Sequence, residues 1–410
     1  MPDDMRGVIV VDNGAGALKA GLAGAADPKT VAPNMVARSA GLSRVLVGSE
    51  VDALGHFFGI SALRPADQGY VVNWDLQRDI WHHTFQQDLG LAPSEHGLLV
   101  TSPPFTPAVL AEQMIEIAME DLRFQRFLCR PAPQLAAHRF GAGPGGAGAG
   151  AGVVVDVGFS FTHVVPFFEG KPLHQGIRRL DVGGKLLTNL LKEEVSHHSV
   201  NVMEETYVVE AMKKELCFVS QDPGRELDAA AARKSPYRLE YVLPDGVHVE
   251  RGYVKPREEA GRAEPSQVHL PPGKRVKQQV ALVNQERFMV PEALFHPSNV
   301  GLAQAGVAEC VQQALEACPD VLQAALASNV VVVGGTTKLP GFLPRLEREL
   351  RPLLPDDVEP AVVAPADPEG YAWRGGSALG AGPEYAKLSF SQADYQEEGA
   401  ARLQAHVTGA

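Results

Sequence analysis

Three short runs of β-branched residues punctuate the chain, and each ends at a glycine turn. Residues 8–11 (VIVV) lead into DNGAG, residues 153–155 (VVV) into DVG, and residues 330–333 (VVVV) into GGTT. Unbroken apolar runs of this length, bounded by glycine, predict strands buried on both faces. Helical spacing lies between them. Over 107–124 a proline suited to a first helical turn precedes Leu110, Met114, Ile117 and Met119, set among acids. Residues 186–195 and 307–317 show the same period. Buried strands alternating with helices predict an α/β architecture.

The first two runs read as copies of one unit. VIVVDNGAGALKAGLAG and VVVDVGFSFTHVVPFFEG are each a strand, an aspartate, a turn, a second apolar strand and another glycine turn. So wide a spacing predicts a duplicated domain rather than a solenoid. Between the copies, GAGPGGAGAGAG at 141–152 cannot pack and predicts a flexible linker or surface insertion. Residues 251–277 mix prolines with seven basic and three acidic residues, a local net charge of +4. This segment is too polar to fold alone. It is expected to be a solvated loop or a docking segment.

At 410 residues the chain exceeds one core, so two or more lobes are expected. The formal net charge of −12 argues against a general grip on nucleic acid. Cys129, Cys217, Cys310 and Cys318 form no CxxC pair. Each is expected in an apolar, helical setting as a buried reduced thiol rather than a zinc ligand. Two early acids and a very short apolar run do not suit a secretory signal, and no stretch nears the ~20 apolar residues of a membrane span.

The candidate chemistry sits at the turns. Backbone N–H groups of glycine turns point at phosphate oxygens, and two such turns facing each other make a phosphate clamp. Gly14 and Gly16 supply the first turn. Asp12 and Asp156, at the strand ends, can hold a hydrated Mg²⁺ through water, and Lys19 can neutralise phosphate. Gly334, Gly335 and Thr336 form a turn that can pass under a purine without a side chain in the way.

DNGAGALKAGLAG resembles the first phosphate loop of actin. VNWDLQRDIWHHTF (72–85), the run at 92–104, the run at 156–188, KKELCFVSQD (213–222), YVLPDG (241–246), ERFMVPEALFHPS (286–298), VVVGGTTKLPGF (331–342) and YAWRGGSALG (371–380) follow in actin's order. The set covers about three quarters of the chain. It implies the two-lobed fold of actin, Hsp70 and the sugar kinases, with a nucleotide-sized cleft, and it adds Gly158, Ser160 and Lys213 to the candidate nucleotide contacts. His82 and His83, inside one block, are expected as polar helix-face residues.

The departures bear on activity. Ala15 replaces a serine beside the phosphates, Phe159 replaces an acidic residue of the second loop, and Ser160 replaces a glycine. Gln134 lies out of register with actin's water-positioning glutamine, while Asp156 and His163 are kept. Lys214 stands at the place of an adenosine-side glutamate. Hydrolysis needs a positioned water and an organised metal. Weak or no turnover is therefore expected: a cleft able to hold ATP or ADP with Mg²⁺, with no cofactor required for catalysis.

FQRFLCR, RRLDVGGKLLTNLLKE, LCFVSQD and the KPREE element at 255–259 resemble the nuclear actin-related proteins of the sixth class. That resemblance implies a non-filamentous structural subunit of a chromatin remodeller that exchanges a histone variant into nucleosomes. Its partners would be an insert of the motor subunit, a small zinc-bearing subunit and, indirectly, the nucleosome. It would reside in the nucleus with some cytoplasmic presence. Lys255, Arg257, Lys274, Arg275 and Lys277 are the candidate docking residues. The alternatives are a filament-forming actin and an active ATPase or phosphotransferase on the same fold. Residues 31–68, counterpart of a subdomain with a filament contact, match poorly. The expected lobes are 6–140 with 371–410, including a small subdomain near 33–65, and 152–370. The second carries a subdomain near 183–302 with the basic insert.

Overall fold

The computed structural model describes residues 5–39, 42–55, 59–139, 150–245, 249–256 and 279–408. Arg257, Lys274, Arg275, Lys277 and most of the Gly/Ala tract lie outside these residues. The three β-branched runs form the strands Val8–Asn13, Gly152–Val157 and Val330–Val333. Alternate side chains of each enter different cores. Ile9 and Val11 join one apolar cluster while Val8 and Val10 join another. Val330 and Val332 likewise part from Val331 and Val333. A strand with apolar packing on both faces needs no polar face, which is why the runs are continuous.

Two mixed sheets result. The first runs Phe390–Ser391, Arg126–Pro131, Gly97–Ser102, Val8–Asn13, Ala17–Leu22, Thr30–Pro33, so the chain's last part returns to its first sheet. The second runs Lys171–Pro172, Thr162–Phe168, Gly152–Val157, Val330–Val333, Val362–Val363, with Arg178–Leu180 beside Thr162–Phe168. The repeated unit is an antiparallel hairpin in both. Asp12 pairs with Lys19 in the first hairpin, and Asp156 with His163 in the second. Each hairpin's first strand is then extended by a parallel neighbour, Gly97–Ser102 or Val330–Val333.

Two small units carry their own strands. Val36–Ser39, Leu46–Val47 and Ile60–Leu63 pack with the helix Ser49–Ala53 around Met35, Ala37, Leu46, Val51 and Ile60. Leu239–Val242, Tyr253–Val254 and Val280–Val283 form the other sheet, whose core is continuous with that of the second large sheet.

Some expectations need correction. Pro107 is the N-cap rather than a first-turn residue, and the helix Ala108–Glu116 widens into a π-helical turn, Ile117–Asp121. Cys129 lies on the strand Arg126–Pro131, not in a helical setting, and Cys217 and Cys318 follow helices rather than sit within them. All four cysteines are free and buried. Among the described residues, no helix is long and apolar enough to cross a membrane.

Candidate functional site

The two hairpin turns and the Gly334 turn face a common cleft of about 600 Å³. Asp12, Gly14, Gly16, Lys19, Asp156, Gly158, Ser160, Lys213, Gly334, Gly335 and Thr336 all line it. Gly334 has φ 98°, and a Cβ there would lie 2.3 Å from the Val157 carbonyl oxygen, so both conformation and space demand glycine. The Thr336 hydroxyl donates to the Gly158 carbonyl at 2.8 Å, tying this turn to the second hairpin.

The floor holds both strand-end carboxylates. Lys19 Nζ donates to Asp12 Oδ2 at 3.0 Å, and the Thr101 hydroxyl donates to Asp12 Oδ1 at 2.9 Å. Burial alone would lower Lys19, but Asp12, Glu369 and Asp156 hold it above its ordinary value. Asp156 is pushed up to about 7, first by withdrawal from solvent and then by the Asp12 charge. Two carboxylates this close favour a shared cation or proton. Among the described residues no group of three or more His, Cys, Asp or Glu could hold a metal ion. Asp12 and Asp156 are the residues that would hold a Mg²⁺ through water.

Lys213 does not reach into the cleft as a free charge. Its ammonium donates to the Gly184 carbonyl at 2.6 Å and the Thr188 hydroxyl at 2.8 Å, and burial pulls it down to about 8. Lys214 pairs with Glu210 at 3.4 Å. Gln134 is not among the lining residues; Ala132 and Pro133, at the start of its helix, are. His163, on the return strand of the second hairpin, is fully buried, and among the described residues neither ring nitrogen has a hydrogen-bond partner. Burial, then the charge of Arg179, pushes it down to about 3.

The second turn carries an aromatic into the gap between the hairpins. A Cβ on Gly16 would lie 2.9 Å from both Cβ and Cγ of Phe159, so the ring rests on the first turn. Arg64 covers that ring at 4.6 Å and donates to the carbonyls of Gly16 at 2.7 Å and Ala15 at 3.2 Å. Its other nitrogen pairs with Glu210 of the second lobe at 3.3 Å. Arg64 was not legible in the sequence: it belongs to no motif, and only the small subdomain's fold brings it to the turns.

Of the proposed docking residues, Lys255 is the one described. It pairs with Glu240 at 3.1 Å and is largely buried, so an internal contact holds its charge.

The sequence matches the actin family over residues 3–407. Relatives named actin-related protein 6 from rice (Oryza sativa subsp. indica) and Arabidopsis thaliana are 38% and 39% identical, aligned over 97% of this chain and 97% and 98% of theirs. One of the same name from Drosophila melanogaster is 37% identical over 96% of this chain and 97% of its own. The chain belongs to the actin family, in its actin-related protein 6 group. The Gly334 turn, tied to the second hairpin, lines the same cleft as the two hairpins. Phe159 and Arg64 fill the space between them.

Proposed function

We propose that this chain is an architectural, non-filamentous subunit of a nuclear complex that exchanges a histone variant into nucleosomes, and that it turns over little or no ATP. The observation that carries the absence of turnover is the packing of Phe159 on Gly16. The gap in which a terminal phosphate, its metal and an attacking water would have to be organised is filled by a ring and a paired guanidinium. The absence of Gln134 from the lining supports it, since that amide is not presented to orient a water. A well-packed two-lobed body remains, which suits scaffolding. The choice of complex rests on the resemblance to the sixth class. Its partners would be the motor subunit's insert and a small zinc-bearing subunit, with the nucleosome contacted indirectly.

Tagging the full chain and identifying stable nuclear partners tests this. Recovery of a remodelling motor with the variant histone is expected. A preparation that sediments as salt-induced polymer, or that hydrolyses ATP at a steady rate well above background, would refute it.

A further inference from the structure

Within the proposed architectural role, one question is open: what the cleft still holds. The turn expected to pass under a purine lines the cleft. The Gly334 turn presents bare backbone and is braced by Thr336 on the second hairpin. The cavity, at about 600 Å³, falls in the size range of small-molecule sites. The phosphate end differs. A triphosphate clamped by two facing turns needs its last phosphate between them. Here the Phe159 ring touches Gly16 in that gap.

The charges agree with the packing. Arg64 lies over the Phe159 ring, and it is already held by the Ala15 and Gly16 carbonyls and by Glu210. Lys19 is held by Asp12. The lining as a whole carries as many carboxylates as cations, so it offers no net positive field for a highly charged anion. A third phosphate would have to displace an aromatic ring from an apolar contact and strip a guanidinium of three partners.

We propose that Phe159, backed by Arg64, limits phosphate chain length, so that the cleft takes a nucleoside diphosphate and rejects the triphosphate. This rests on the cleft being a nucleotide site at all. Phe159 is then a specificity residue: it selects the ligand and takes part in no chemistry. Exchange of ADP for ATP would not reset the protein, and the two lobes would stay bridged through Arg64 whatever the ATP supply.

Calorimetry on the full chain with Mg-ADP and with Mg-ATP tests this, alongside Phe159→Ala and the milder Phe159→Leu, each checked for an unchanged far-UV spectrum. The wild type is expected to bind ADP at least about tenfold more tightly than ATP. Phe159→Ala should erase the difference by tightening ATP, leaving ADP within about threefold, and Phe159→Leu should fall between. Equal binding of the two by the wild type, or a preference that survives Phe159→Ala, overturns the length limit and leaves the nucleotide site standing. Binding by the variants but none by the wild type also overturns it, showing a plug against every nucleotide. No binding of either nucleotide by any of the three proteins removes the nucleotide site and the length limit together.

Discussion

The phenol of Tyr207 donates to Asp52 Oδ1 at 2.5 Å, joining the helix Thr206–Leu216 of the second lobe to the helix Ser49–Ala53 of the small subdomain. Arg251 adds to the same junction by donating to the carbonyls of Gly55 and Asp52. With the Arg64–Glu210 pair deeper in, side chains bridge the small subdomain and the second lobe beside the cleft. Tyr207→Phe removes one hydrogen bond and keeps the ring, a loss of about 1 kcal/mol. Hydrogen exchange over residues 49–55 is expected to quicken about fivefold, with the global melting temperature little changed. Unchanged exchange there would mean that the bond does not hold the junction.

His163 predicts a pH dependence. Its folded pKa, about 3, lies below its ordinary value of 6.5, because the neutral ring is buried without a hydrogen-bond partner among the described residues and Arg179 opposes a further charge. The unfolded chain binds a proton there that the folded chain refuses. Stability is therefore fully present above pH 6.5 and falls as the pH drops from 6.5 towards 3. His163→Leu, which fills the space and cannot titrate, is expected to flatten this fall in thermal melts. At pH 7.5 the variant should be within about 1 kcal/mol of wild type, since no hydrogen bond is lost. An identical acid slope in both proteins would show that other groups set it.

Much of the fold is legible because its central strands are buried on both faces, and that burial writes itself as unbroken VIVV, VVV and VVVV. The glycine turns are legible for a related reason: backbone must pass where no Cβ fits, as at Gly334. The strand Arg126–Pro131 was less legible. FLCR is a short apolar run with flanking arginines, and such a run cannot be told from a helical segment by period. The contacts that bridge the lobes beside the cleft were not legible at all. Tyr207 and Glu210 share one helix, but their partners Asp52 and Arg64 lie 155 and 146 residues earlier and meet them only once both lobes are folded. Phe159 could be seen as a departure, but its effect depends on lying against Gly16, which no linear pattern states.

A buried ion pair supports the second lobe. Arg345 is 2% exposed and donates to Glu292 from two nitrogens, at 2.6 and 3.1 Å, while also reaching Glu349 and the Ser220 carbonyl. Glu292 is equally buried. Arg345→Ala leaves that buried carboxylate, among the described residues, only the His296 ring, 3.5 Å away, so a loss of about 3 kcal/mol is expected in denaturant melts. Adding Glu292→Gln should recover part of it, because the stranded charge is then gone. If the double variant is no more stable than the single one, lost packing of the arginine stem, rather than the charge, is the cause.

Gly16 and Phe159 offer a direct check on the contact that underlies the proposed lack of turnover. The backbone at Gly16 is not in the left-handed region, so alanine is acceptable there by conformation. The obstacle is the neighbour: the new methyl would lie 2.9 Å from Phe159 Cβ and Cγ, inside van der Waals distance. Gly16→Ala alone is expected to cost about 1–3 kcal/mol as an overpacked substitution. In a Phe159→Gly background, which removes Cβ as well as the ring, these contacts are gone and the same change should cost about 1 kcal/mol less. The two sites would then show a coupling of about 1 kcal/mol or more, as residues in contact do and distant ones do not. Additive losses in the double-mutant cycle would mean that the ring does not rest on the first turn in solution. The gap between the hairpins would then be open to a third phosphate, and the case for a cleft that cannot turn over ATP would lose its physical basis.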